Sequence, residues 1–422
     1  MIQSMEDAEF YFKKRKSYGI KPGLGRVNYL LKKLGNPEQN IQAIHVAGTN
    51  GKGSTIHFLE NALTISGYQV GVFSSPSFSG LCGHMTVNQV PIEKSKFIQL
   101  LNMLIPSINE LDEKELHPTE FEIITVLALL YFQNNVHIAL IETGMGGKDD
   151  TTNCIDPLLS IITNVEKDHM QFLGNTYAQI AMHKAGIVKK NRPVIVGPIN
   201  NESEQVIIQK AKEENALFYR SGKEFQWKEL DNEYIWEFEQ ISHSYSIGET
   251  GIFQIENMSL ALMALTLLER FSYKIAWHEF LKNSKSLTLP GRFEYICKQP
   301  KVILDSAHNL PGIKAFIQTV SKQFPKENKT LLFTAFKDKQ IDHMLSELTS
   351  VFQQVTMTTF SHERAISTEQ LKKYHNRLIK INKDWKSEID LILQDKSNQN
   401  VYFVTGSMHF IMEVRNYLIK II

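Results

Sequence analysis

The chain of 422 residues has only three cysteines, Cys82, Cys154 and Cys297, and none of them share a spacing that suggests a disulfide framework or a metal knuckle. That scarcity fits a reducing compartment, and a cytoplasmic location is expected. The chain also has no excess charge: 46 Lys and Arg against 45 Asp and Glu leave a net +1. No field of one sign therefore selects nucleic acid or an anionic membrane as partner. The basic run Lys13-Lys14-Arg15-Lys16 follows Glu6, Asp7 and Glu9, and reads as the solvated face of a first helix rather than a phosphate site. Long apolar runs are missing too. The longest, residues 121–132, is interrupted by Glu122 and is too short to span a bilayer. Charge by residue 6 leaves no room for an apolar leader core, so no targeting segment is expected.

What is present is an ordinary globular composition, 42% hydrophobic and 22% charged, and a length that predicts two or three domains. Strand and helix patterns alternate through the first third. Residues 42–47 read as a strand entering a glycine-rich turn, and Ile56, Leu59 and Leu63 then mark a helix ending at Gly67. Residues 70–73, 137–141 and 158–163 are further strands. Thr119 can cap a helix whose Ile124, Leu127, Ala128 and Tyr131 form one apolar face. This order predicts a mostly parallel sheet with helices on both sides. Residues 234–238 and 243–247 look like short antiparallel strands, and residues 257–270 return to helical periodicity. After the turn signal Leu289-Pro290-Gly291-Arg292, the alternation restarts with strands at 301–304, 330–333, 354–358 and 401–404. The expected fold is α/β: a mostly parallel, P-loop-type sheet domain over 1–293 with a small antiparallel β subdomain, then a smaller Rossmann-like domain over 294–422.

The strongest chemical signal is Ala47-Gly48-Thr49-Asn50-Gly51-Lys52-Gly53-Ser54-Thr55, between a strand and a helix. Glycines let backbone N–H groups turn inward on an anion, the helix N-terminus adds positive charge, and Lys52 can neutralise a terminal phosphate. It departs from a strict Walker A loop, with Val46 for the first glycine and Gly53 after the lysine. The bland alternative is a tight turn with a solvated lysine. Glu142, in Glu142-Thr143-Gly144-Met145-Gly146-Gly147, ends a strand where doubly wound sheets bind ligands, and could hold Mg²⁺; a helix cap or a surface charge is the alternative. Asp168-His169 lies beyond another strand, though a lone histidine is commonly structural. By composition Lys184 is an ordinary helical lysine. Asp305, His308 and Asn309, and later Thr405-Gly406-Ser407, occupy strand ends able to line a cleft in the second domain.

Together these segments resemble the folylpolyglutamate synthase/dihydrofolate synthase family, a branch of the Mur ligases, over nearly the whole chain. His45-Val46-Ala47-Gly48-Thr49-Asn50-Gly51-Lys52-Gly53-Ser54 is similar to the family's phosphate loop, Ser74-Ser75-Pro76 to its Ser-Ser-Pro loop, and Thr119-Glu120-Phe121-Glu122 to its Thr-x-Phe-Glu helix start. Glu142 with Asp150-Thr151-Thr152-Asn153, Asp168-His169 and Lys184-Ala185-Gly186-Ile187 follow in the family's order, as do Gln254, Asn257, Arg292, Asp305, Lys337-Asp338-Lys339 and Ser407. The chain departs from the family at Cys82-Gly83-His84-Met85 (usually Asn-Glu-Arg-Ile), at Lys148-Asp149 (Arg-Leu), at Ser306 (glycine) and at Leu310 (proline).

The resemblance implies an ATP-dependent ligase that joins L-glutamate to the γ-carboxylate of a folate through an acyl phosphate. It implies an ATP site at Thr49, Asn50, Gly51, Lys52, Gly53, Ser54, Asn257, Arg292 and Asp305. Two Mg²⁺ ions would be held by Ser75, Glu142, His169 and a carbamylated Lys184, with Lys52, Glu142, His169 and Lys184 as the catalytic set. Substrate contacts would come from Thr119, Phe121, Glu122, Asp150, Thr151, His308 and Ser407, and the two domains would close on the nucleotide. The expected partners are the small molecules alone, ATP, folate and L-glutamate, with no nucleic acid or membrane, and the chain is expected to be a monomer. Dihydropteroate as a second acceptor remains open. A peptidoglycan-precursor ligase is disfavoured by the Thr-Glu-Phe-Glu and Lys-Ala-Gly-Ile segments. A non-catalytic nucleotide-binding protein is disfavoured by the intact Lys52, Glu142, His169 and Lys184.

Overall fold

In a computed structural model the chain is described from residue 1 to 422, except for Phe78, Asn232, Glu249 and Asn398. It divides into two compact units, Met1–Ser246 with Glu256–Asn283, and Ile247–Ile255 with Ser284–Ile422. No described helix is long and apolar enough to cross a membrane.

The strands of the first sheet are Ala43–Ala47 (β1), Val70–Phe73 (β2), Met85–Val87 (β3), Val90–Pro91 (β4), Ile138–Glu142 (β5), Leu159–Ile162 (β6), Val194–Val196 (β7) and Phe218–Arg220 (β8). Their order is β4-β3-β2-β5-β1-β6-β7-β8. β1, β2, β5 and β6 are buried at every position, as parallel strands covered on both faces must be. The short β3 and β4 run antiparallel at one edge. Because β5 and β6 flank β1 on opposite sides, the C-terminal ends of these three strands share one edge of the sheet. A small antiparallel sheet, Phe225–Leu230 (β9), Glu233–Phe238 (β10) and Ile241–Tyr245 (β11), completes the unit. β11 starts two residues before the expected strand because Glu239, at φ 53°, makes a tight turn that pairs Phe238 with Ile241.

The helix Glu120–Phe132 starts where Thr119 predicts: its hydroxyl accepts the Glu122 N–H, and the Glu122 carboxylate accepts the Thr119 N–H. The apolar side is wider than the expected single face, since Ile123, Val126 and Leu129 are buried along with Ile124, Leu127 and Ala128. The first helix, Met5–Lys16, corrects the reading of its basic run. Arg15 is not solvated but buried, donating to both oxygens of Asp112 and to Tyr11.

The second unit holds Arg292–Lys298 (β12), Lys301–Asp305 (β13), Asn328–Phe333 (β14), Gln354–Met357 (β15), Ile379–Ile381 (β16) and Asn400–Thr405 (β17). Their order is β12-β13-β17-β14-β15-β16, all parallel except the antiparallel β12. The sequence pattern missed β12 and β16, which are only partly buried and carry mixed apolar and polar residues.

Candidate active site

The loop leaving β1 is held from the neighbouring strand end. Asn164 Oδ1 accepts the N–H groups of Thr49, at 3.1 Å, and Asn50, at 3.0 Å. Thr163 donates to the Asn50 carbonyl at 2.6 Å, while the Thr49 hydroxyl donates to the Glu166 carbonyl and accepts the Glu166 N–H. Two glycines of the loop admit no side chain. A Cβ on Gly48 would strike the Thr163 hydroxyl, and one on Gly51, at φ 86°, would strike the Asn257 side chain. Asn257 thus lies against the loop. The helix Lys52–Ile65 begins there with no side-chain cap, and Ser54 and Thr55 are buried in its first turn.

Lys52 does not extend into solvent. Its ammonium donates to the Gly48 carbonyl at 3.1 Å and stands 3.8 Å from the carboxylate of Glu142, which ends β5. Glu142 is buried and also faces Gly53, so carboxylate, lysine and helix N-terminus meet at one point. Ser75 lies half-buried in the turn after β2. That turn is clamped by His84, whose Nδ1–H donates to the Ser74 carbonyl at 2.9 Å while its own carbonyl accepts the Ser74 N–H.

Lys184 is fully buried near the end of the helix Tyr177–Ala185. Burial and then the charge of Lys52 push its ammonium pKa down to about 7, against a pull from Asp168. The Gly146-Gly147-Lys148 loop packs on this helix end. Lys148 N–H donates to the His183 carbonyl at 2.7 Å, and a Cβ on Gly147 would sit 2.8 Å from that same oxygen. Asn153 donates to the Lys148 and Gly186 carbonyls, tying the loop to the lysine segment. His169 is exposed, with a left-handed backbone at φ 51°.

The other candidates of the first unit gather around the start of the helix Glu120–Phe132. Buried Asp150 accepts the N–H groups of Met145 and Thr152 and the Thr152 hydroxyl, and a Cβ on Gly144 would sit 3.3 Å from its carboxylate and 2.5 Å from the Phe121 ring. Thr151 bonds Thr125 at 2.8 Å. Glu122 is occupied by the Thr119 cap and by an ion pair with Arg26 at 2.8 Å.

In the second unit, Asp305 ends β13 and accepts the Phe293 and Ala307 N–H groups; burial, opposed by Arg292, raises its pKa to about 6. His308 Nδ1–H donates to the Ser306 carbonyl. The hydroxyls of Ser306, Thr334 and Ser407 are buried at the ends of β13, β14 and β17 with no hydrogen-bond partner among the described residues.

Sequence reading missed Asn164 and the hydroxyl of Thr163 as supports of the phosphate loop, acting through its N–H and carbonyl groups. A polar residue just past the buried strand ending at Ile162 was the only signal for both.

The sequence profile of the Mur ligase middle domain matches residues 46–265, and that of the Mur ligase glutamate ligase domain matches residues 291–408. The chain is 34% identical to the dihydrofolate synthase/folylpolyglutamate synthase of Bacillus subtilis, over 99% of this chain and all of that one. It is 29% identical to the folylpolyglutamate synthase of Lacticaseibacillus casei, over 93% and 94% of the two chains. Among solved structures, Escherichia coli FolC in complex with DHPP and ADP superposes with a TM-score of 0.88 at 26% identity, over 99% and 98%. The folylpolyglutamate synthase of Thermotoga maritima superposes with a TM-score of 0.84 at 28% identity, over 98% and 97%. Matched by both domain profiles and 34% identical to a dihydrofolate synthase/folylpolyglutamate synthase over almost its whole length, the chain belongs to the Mur ligase family, in its folylpolyglutamate synthase/dihydrofolate synthase branch.

Proposed function

We propose that this protein is an ATP-dependent ligase that joins L-glutamate to the γ-carboxylate of a folate, releasing ADP and phosphate, and that dihydropteroate is a second acceptor. The observation that carries this reading is the convergence of Lys52 and Glu142 at a phosphate-type loop, with Lys184 fully buried and close enough to feel the charge of Lys52.

A carboxylate resists attack by an amine because oxide is a poor leaving group. Transfer of the ATP γ-phosphoryl to the folate carboxylate supplies a leaving group, and the glutamate amine then displaces phosphate through a tetrahedral intermediate. Such transfer depends on positioning and charge neutralisation. Lys52, held by the Gly48 carbonyl, supplies a fixed cation, and the N–H groups of the loop receive the phosphates. Asn257, Arg292 and Asp305 are assigned to the nucleotide.

The donor set fits Mg²⁺. Ser75 and Glu142 offer hard oxygen atoms and would hold the ion. Bound Mg²⁺ supplies further neutralisation of the transferring phosphoryl group. Lys184 suits carbamylation for a physical reason. With its pKa held down to about 7 by burial, far more of it is neutral amine at neutral pH than of an ordinary lysine. The neutral nitrogen bonds to the carbon of CO₂ and one proton leaves. The resulting anion would relieve the repulsion from Lys52, and with His169 it would hold a second Mg²⁺.

Thr119, Phe121, Asp150 and Thr151 are read as the folate side of the site, with Glu122 ordering it through Thr119 and Arg26. The second unit is read as the glutamate side, through His308 and Ser407. The test is incubation with ATP, Mg²⁺, L-glutamate and either a reduced folate or dihydropteroate. A product heavier by one glutamyl residue, with one ADP per product, is expected from both acceptors. ATP binding without any ligation would leave the non-catalytic reading standing instead.

A further inference from the structure

His45 is an unexpected residue for its place. β1 is the strand between β5 and β6, and the neighbours of His45 on the same face, Ala43 and Ala47, belong to apolar clusters on either side. The histidine is fully buried between them, and burial lowers its pKa to about 3, so the ring is neutral at any working pH. A neutral imidazole carries one N–H, and the hydrogen bonds decide which nitrogen has it. Nε2 lies 2.9 Å from the Thr152 hydroxyl, which lies 2.5 Å from Asp150 Oδ1. Burial raises the Asp150 pKa against the hydrogen bonds that lower it, and its Oδ1 accepts both the Thr152 N–H and the Thr152 hydroxyl, so the single hydroxyl proton goes to Asp150. Thr152 must then accept from His45, and the ring is the Nε2–H tautomer. Nδ1 is left bare, buried and without a partner among the described residues. A valine here would avoid that cost, so the ring has a task that valine cannot perform.

The chain of bonds shows the task. Asp150 holds Met145 N–H at 2.7 Å and lies over Gly144 beside Phe121, so its direction fixes the 144–145 loop. We propose that His45 is a positioning residue for substrate recognition: its Nε2–H pins Thr152, which aims Asp150 at the hydrogen-bonding edge of the pterin ring. The inference rests on reading Asp150 as a substrate residue. His45 is one strand residue from Val46 and the phosphate loop, yet its bonds run only to the substrate side, so it should leave ATP binding untouched.

The test compares His45→Gln, whose amide can keep a donor near the Nε2 position, with His45→Leu, which has none. With His45→Leu, KM for the pterin acceptor should rise about tenfold or more, the worth of one buried hydrogen bond, while KM for ATP stays within about twofold. His45→Gln should recover most of the loss. Equal rises in both KM values, or no difference between the two variants, would overturn the proposal. If His45→Leu fails to fold, ¹⁵N NMR of the unmodified protein decides: a protonated Nε2 with bare Nδ1 supports the inference, and the opposite tautomer overturns it. Asp150→Asn separates the two layers. A raised pterin KM there with an unchanged one in His45→Leu defeats the positioning role alone, and an unchanged KM in Asp150→Asn defeats the reading of Asp150 and the inference with it.

Discussion

The Lys52 ammonium and the Glu142 carboxylate stand 3.8 Å apart, brought together by two adjacent parallel strands whose C-terminal ends share one edge of the sheet. The pair is shielded from water, with Glu142 buried and the Lys52 side chain only 16% exposed.

Lys52→Ala removes the cation at the phosphate loop, and Glu142→Gln removes the anionic oxygen while preserving shape. Each variant should lower kcat on the order of a hundredfold or more, the usual cost of losing a preorganised charge, with the melting temperature nearly unchanged. Steady-state ligation assays with circular dichroism check this. Near-normal ligation by either folded variant would remove that residue from the mechanism.

Asn164 offers one acceptor oxygen to two loop N–H groups. Asn164→Ala should raise KM for ATP by about tenfold or more, because two amides lose the partner that fixes their direction. Acceptor KM should move little. A variant with unaltered nucleotide affinity by calorimetry would show that the loop holds its shape alone.

How much of this was legible in the sequence varied with the physical origin of each feature. Buried parallel strands announce themselves as apolar runs, and Val70–Phe73 was read at its true bounds. Thr119 and Glu122 were legible because a capping box is a local pattern. Arg15 was misread because its partner Asp112 is 97 residues away, and nothing local tells a buried arginine from a solvated one. Lys184 carried no local signal either, since its lowered pKa arises from burial and from Lys52, which only the fold brings near. The family resemblance singled it out.

Lys184 links activity to CO₂. Its depressed pKa means that neutral amine dominates above about pH 7 and disappears as pH falls below it. Activity should fall in CO₂-depleted buffer, recover with bicarbonate, and recover less readily below neutrality. Lys184→Ala should be inactive and regain some rate with a small added carboxylate. Full activity of Lys184→Ala without any additive would contradict the carbamate.

Glu60 gives a stability prediction remote from the chemistry. It is buried in the helix after the phosphate loop and accepts the Gln89 N–H, and burial pushes its pKa up to about 7. A carboxyl whose folded pKa is raised adds stability at low pH and loses it as pH rises through the folded value. Glu60→Gln keeps an acceptor for Gln89 without the charge. It should raise the melting temperature above that of the unmodified protein at about pH 8.5, with the difference shrinking toward about pH 5. An unchanged difference across that range would show that Glu60 does not titrate there.

The acyl phosphate is tested most directly by following oxygen. Folate labelled with ¹⁸O in its γ-carboxylate should deliver one labelled oxygen to inorganic phosphate for each glutamate joined, with ADP as the only nucleotide product. Label recovered in AMP, or phosphate free of label while glutamylated folate accumulates, would contradict the account.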